Sequence, residues 1–361
     1  MDLLARLGFD DPRPLLPVDR AAIESWLGVR LPRDYWESAA RGSVLIGGGI
    51  VLGGPVRAHF GTLPWAKHDL RTELREAGFA PVRLHPEPGG LLPWGHTLGG
   101  RTSLLWNTAD PDPERWTVVL CDPTRPTRAE AVLDSGLGLA EFLETVVLDR
   151  VGHLGPLPAT AGPTWDAPEP WAPPPPRELT PAEREFALHG PAGLPALRLL
   201  APPPSTAVRK PDWARVRAEL GTPLPSDYRA LLESYGPGHW SEWLGLYAPE
   251  DLAGLPGRIG RSVPGPCWPE PGGFLPIGCS IDNDRLGWRV TGPDPERWPV
   301  VVRPRHVRGE VPLPGGLVEV LTVWLRGGLS VEGLPGLDPE DDPFELARFE
   351  PREADRPVRV G

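Results

Sequence analysis

Apolar positions along this chain alternate between a helical and a strand period. Ala22, Ile23, Trp26 and Leu27 recur at helical spacing between Asp19 and Gly28. That pattern predicts a short amphipathic helix with an aspartate cap and a glycine stop. A second helix is predicted after Leu31-Pro32, because proline suits a helix entry. Residues 44–52, VLIGGGIVL, read as strand interrupted by glycines, and 69–77 as a charged helix stopped by Gly78. Short apolar runs around 91–97, 103–108 and 116–121, joined by Gly- or Pro-containing turns, predict consecutive strands. Residues 139–148 predict a closing helix.

The same grammar returns further on. Helices are predicted over 212–220 and 225–235, strands near 244–247, 274–279, 285–291 and 298–303, and a closing helix over 316–326. An added helix precedes this copy, where Thr180-Pro181-Ala182-Glu183 combines a cap, a first-turn proline and a capping-box glutamate. Particular residues recur as well. Pro111-Asp112-Pro113-Glu114-Arg115-Trp116 reappears unchanged as Pro293 to Trp298, Leu92-Pro93-Trp94-Gly95 matches Leu275-Pro276-Ile277-Gly278, and Trp106 matches Trp288. Leu31-Pro32-Arg33-Asp34-Tyr35 aligns with Leu224-Pro225-Ser226-Asp227-Tyr228. Matches kept in order over such a span indicate duplication of a whole domain. Helices outside a run of consecutive strands imply an α+β fold with antiparallel sheets.

Composition adds boundaries to this picture. The 361 residues include 51 prolines and 43 glycines, and nine of the prolines fall within 155–176, which ends in Pro173-Pro174-Pro175-Pro176. Such a stretch favours extended geometry and acts as a spacer. The expected organisation is a domain over 1–150, a Pro-rich linker over 151–178, a second domain over 179–330 and an acidic tail over 331–361. The tail carries 4 basic and 9 acidic residues, and its Phe344, Leu346 and Phe349 are apolar enough to pin it back onto a domain. A formal net charge of −11 argues against a non-specific nucleic-acid binder. No apolar run reaches the length of a membrane span, and the first residues lack the basic and apolar regions of a signal peptide. A cytoplasmic monomer is the expectation.

Several of these residues resemble a known family. Leu220-Gly-x-x-Leu-Pro-x-Asp-Tyr, Tyr235-Gly236-Pro237-Gly238, Leu275-Pro276-x-Gly278, Trp288 and Asp294-x-x-x-Trp298-Pro299-Val300-Val301 together resemble the SUKH superfamily. The second copy carries the pattern over 208–328. The first carries it over 22–36 and 89–148, with Arg41-Gly42-Ser43 where Tyr-Gly-x-Gly is expected. The resemblance implies two tandem domains, each a curled antiparallel sheet with helices packed outside it, and no catalysis. It also implies protein binding. Many bacterial members are immunity proteins that neutralise secreted toxins, often nucleases, and others are adaptors or regulators. A small-molecule-binding role is the remaining alternative. An acidic chain suits a basic toxin domain as partner, because complementary fields speed encounter.

Candidate chemistry is sparse. Cys121, Cys267 and Cys279 are widely spread, and no His-Glu-x-x-His occurs among the eight histidines, so no metal, cofactor or catalytic residue is assigned. Gly47-Gly48-Gly49 and Gly53-Gly54 lack the lysine of a phosphate loop and read as a bulge or tight turn. Asp112, Glu114, Asp294 and Glu296 place carboxylates at matching loops, either as turn formers or as contacts for a basic partner. Trp240 and Trp243 have no aromatic counterpart in the first copy and are the candidate aromatic anchors for a partner.

Overall fold

The computed structural model describes residues 3, 7, 14–46, 49–80, 82–99, 102–148, 170–175, 177–255, 265–338 and 340–352. The chain divides into two units, Met1–Arg177 and Glu178–Gly361. Both are α+β, each built on one antiparallel sheet.

In the first unit, α1 (Arg20–Leu27) starts where the Asp19 carboxylate accepts the Ala22 N–H at 3.0 Å, and stops at Gly28 in the left-handed region. α2 (Arg33–Ala39) follows Pro32. The strands are β1 (Val44–Ile46), β2 (Ile50–Leu52), β3 (Leu91–Thr97), β4 (Ser103–Asn107), β5 (Thr117–Cys121) and β6 (Val132–Asp134), paired in chain order. The helices α3 (Leu63–Glu76), α4 (Arg128–Ala131) and α5 (Leu139–Leu148) complete the unit. Strand alternation gives the sheet two apolar faces. Leu104, Trp106, Val118 and Leu120 join Ile23, Leu27, Tyr35 and Leu143 in the main core. Leu105, Val119 and Cys121 face the other way and are covered by Leu70 and Leu74 of α3.

The second unit begins with α6 (Pro181–His189), whose capping box is fully formed by Thr180 and Glu183, and α7 (Leu194–Leu200). Next come α8 (Trp213–Leu220), capped by Asp212, and α9 (Ser226–Tyr235). The strands are β7 (Gly238–Trp240), β8 (Leu244–Leu246), β9 (Phe274–Ser280), β10 (Arg285–Arg289), β11 (Val300–Arg303) and β12 (Val311–Pro312), followed by α10 (Leu317–Leu325), α11 (Pro343–Leu346) and β13 (Phe349–Pro351). The sheet order is β12-β11-β10-β9-β8-β7-β13, so β7 to β12 repeat the order of β1 to β6. The register shifts at matching places, between Pro93 and Gly95 in one sheet and between Leu286 and Gly287 in the other. The motif glycines Gly95 and Gly278 sit where a Cβ would collide with the backbone oxygen of Val51 or Gly245 on the adjacent strand. Close strand approach therefore explains the glycine of Leu-Pro-x-Gly.

Three expectations need correction. The second domain does not end at residue 330, because the tail docks onto it through the apolar residues singled out for that role. β13 pairs with β7, and Phe349 packs against Tyr235 and Trp240 at 5.0 and 4.8 Å, because the edge of β7 leaves backbone groups and an aromatic surface to be covered. The linker is not free along its length either. Pro170 bridges to Val56, and Trp171 packs on Trp26 and Phe60 at 4.7 and 5.6 Å, joining the first unit's core. Residues 151–169 and 176 of that linker, and Gly47-Gly48, lie outside the described residues. Finally, α3 begins six residues before the expected 69, since Leu63-Pro64 supplies another apolar first turn and an entry proline.

Two outcomes follow from this packing. Phe349→Ala should destabilise the second unit by about 3 kcal/mol, as loss of a buried aromatic does, read as a lower denaturation midpoint. In the first unit, burial and then the nearby His96 lower the His59 pKa from 6.5 to about 4, and its Nε2 has no partner among the described residues. The unfolded chain therefore takes up the proton first. Stability is full above pH 6.5 and falls as pH drops toward about 4, by up to roughly 3 kcal/mol. Melts across that range should show the decline, and His59→Asn should flatten it.

Candidate functional site

The repeated motifs converge on one arrangement in each unit. α2 and α9 both start after a proline that offers no side-chain cap, so their first N–H groups need acceptors from elsewhere. Glu114 accepts the Arg33 N–H at 2.9 Å from 81 residues away, and Glu296 accepts the Ser226 N–H at 2.8 Å from 70 residues away. Glu296 also takes the Ser226 hydroxyl at 2.9 Å. Each glutamate is held in a 3-10 turn capped by the preceding aspartate. Asp112 accepts from the Glu114 N–H at 3.2 Å, and Asp294 from the Glu296 N–H at 3.1 Å. The tryptophan that ends each hexapeptide is buried and donates Nε1 to a carbonyl six residues back, Asp110 or Gly292, at 2.7 Å.

The capped helices cap others in turn. Asp34 accepts the Ala140 N–H of α5 at 2.9 Å, and Asp227 the Val318 N–H of α10 at 3.2 Å. Burial pushes the Asp34 carboxyl above its ordinary range, and hydrogen bonds from the backbones of Ala140 and Tyr35 partly offset that rise. Beside each aspartate, a buried tyrosine meets a tryptophan edge-on: Tyr35 with Trp106 at 5.2 Å and Tyr228 with Trp288 at 5.1 Å. Two carboxylate caps and an aromatic cluster thus tie two helices to the turn before β5 or β11.

In the second unit this cluster borders a groove of about 380 Å³. Trp288 and Trp298 contribute its aromatic part, and Asp227, Glu296 and Glu319 its carboxylates. One wall is Ala192-Gly193-Leu194, from the turn between α6 and α7 and the first residue of α7, which lies outside the repeated sequence. Glu296 and Asp227 are committed to helix caps, whereas Glu319 is exposed on the first turn of α10. The groove thus joins an apolar surface to a negative rim, suited to a guanidinium or ammonium on an aliphatic stem.

The sequence candidates divide between the two units. Asp112 and Glu114 lie in the first unit and Asp294 and Glu296 in the second, all exposed but all engaged in the turns and caps above. Trp240 is fully buried between Tyr235 and Phe349 and is core, so its role as a partner anchor is corrected: β13 covers the side that would otherwise be exposed. Trp243 is half-buried in the turn after β7 and donates Nε1 to the Gly333 carbonyl at 3.3 Å. Its own carbonyl accepts the Ile281 N–H at 2.9 Å, at the tip of the β9–β10 hairpin. Ile281 is 67% exposed, and Leu98, at the equivalent tip in the first unit, is 64% exposed. Sequence reasoning missed Glu319 and these two apolar tips, although the alignment of the copies already placed Leu98 opposite Ile281.

Comparison with family models, curated proteins and solved structures finds no match to the chain. Among the described residues, no helix is long and apolar enough to cross a membrane.

The capping arrangement is directly testable. Glu296→Ala should cost about 1–2 kcal/mol, because it orphans the start of α9. Glu296→Gln, which keeps an acceptor, should cost less than half of that in urea denaturation.

Proposed function

We propose that this protein is a non-enzymatic protein-binding module of the SUKH type, and that its second unit recognises a cationic segment of a partner protein. The observation that carries this reading is the groove where Glu319, Glu296 and Asp227 rim Trp288 and Trp298. Of the residues forming it, Asp227, Trp288 and Trp298 belong to the motif pattern that resembles the superfamily. An immunity role against a secreted toxin with a basic nucleic-acid-binding cleft fits both the groove and the formal charge of −11. The partner would present Arg or Lys side chains to the carboxylates and their stems to the tryptophans.

An intracellular adaptor role is favoured by a separate observation, the exposed Leu98 and Ile281 at equivalent hairpin tips. Two copies of one apolar tip suit a protein that engages two sites.

Glu319 separates recognition from folding, since it is exposed on α10 and caps no other helix among the described residues. Against a nuclease-like toxin domain encoded by an adjacent gene, Glu319→Gln should slow association several-fold at low salt and weaken its salt dependence. Its melting temperature should match that of the unmodified protein. An unchanged association rate in stopped flow would remove the groove from the binding face.

A further inference from the structure

The sheet of the second unit carries, on the face turned away from its core, a row of polar residues. Pairing across β11, β10, β9, β8 and β7 aligns Arg303, Arg285, Cys279, Gly245 and His239. Their strand neighbours Val302, Leu286 and Leu244 point into the core. Arg285 and Arg303 stand directly opposite one another and are 3% and 6% exposed.

Their charges are incompletely answered. Arg303 donates Nε to Glu310 at 2.5 Å and Nη2 to the Pro266 carbonyl at 3.4 Å, and stacks over the Phe274 ring at 4.2 Å. Its Nη1 is buried with no acceptor among the described residues. Glu310 is shared with Arg289, which donates Nε to it at 2.9 Å. Arg285 donates Nη1 to the Tyr247 hydroxyl at 2.7 Å, and no carboxylate pairs with it among the described residues. The adjacent Asp284 is occupied by the Ser280 hydroxyl at 2.6 Å and the Arg305 N–H at 2.8 Å. Among the described residues, the three guanidiniums therefore have one carboxylate between them, Glu310, and the most buried of the three, Arg285, has only a neutral partner. A buried cation without a counter-charge is strongly destabilising.

The fold does not require this. The equivalent strand pair in the first unit is Ser103 opposite Cys121, both uncharged, in an otherwise corresponding sheet. We infer that Arg285 and Arg303 form a binding site for a small oxyanion, a phosphate or carboxylate group, with the Tyr247 hydroxyl and Cys279 thiol at its edge. Two guanidiniums side by side supply the planar donors that such groups accept. Along the row, burial relaxes towards β7, through half-buried Cys279 to exposed His239. The site uses no residue of the groove, so it stands or falls separately from the proposed partner recognition.

The test is thermal melting of the whole chain in inorganic phosphate, acetate or chloride at matched pH and ionic strength. Phosphate or acetate should raise the melting temperature by about 2–4 °C over chloride, and the arm that responds identifies the group. Arg285→Met should lose that rise and melt no lower than the unmodified protein in chloride, since it removes an unpaired buried charge. Equal shifts in protein and variant would mean a general salt effect and overturn the site. Should the variant not fold, alkylation of Cys279 in the unmodified chain decides. It should slow at least three-fold in the responding anion, and an unchanged rate in both overturns the proposal.

Discussion

A helix that begins after proline has no cap of its own, and in this protein that deficit organises each unit. Pro32 and Pro225 leave the starts of α2 and α9 unsatisfied, and a glutamate from a distant turn supplies the acceptor. A carboxylate is well suited there, because it meets both the free N–H groups and the positive end of the helix dipole. The consequence is long-range order from local chemistry. The aspartate that follows in the same first turn caps the closing helix, so the sheet turn, the second helix and the last helix are linked in sequence by hydrogen bonds.

Around this shared arrangement the two units have diverged on their other surfaces. The face of the first sheet opposite its main core is apolar and carries α3. The corresponding face of the second carries Arg285, Arg289 and Arg303 with Glu310 and Tyr247. One copy thus closes its second face by hydrophobic burial and the other by a polar network. Burial alone is enough for stability, so the network is the more specialised solution.

The edges differ as well. The β7 edge of the second sheet is covered by β13, whose Phe349 turns Trp240 from an edge aromatic into part of the core. The acidic stretch before it does not prevent this docking. Asp342 caps α11 by accepting the Phe344 N–H at 2.9 Å, so one of the tail's acidic residues starts a helical turn.

Local patterns alone determined much of this protein. Asp19, Gly28, Asp212 and the Thr180–Glu183 box are caps that act within a few residues, and the helices they bound appear where the pattern places them. The α+β class and the duplication were equally legible, since apolar periodicity and repeated motifs are properties of the chain itself. Tertiary structure alone decided what Glu114 and Glu296 do, because their partners lie 81 and 70 residues away and no local pattern encodes that distance. It decided that Trp240 is core and Ile281 exposed, since burial depends on which distant segment covers a side chain. It also decided that Arg285 faces Arg303, a juxtaposition set by strand register, which neither residue's own surroundings in the sequence reveal.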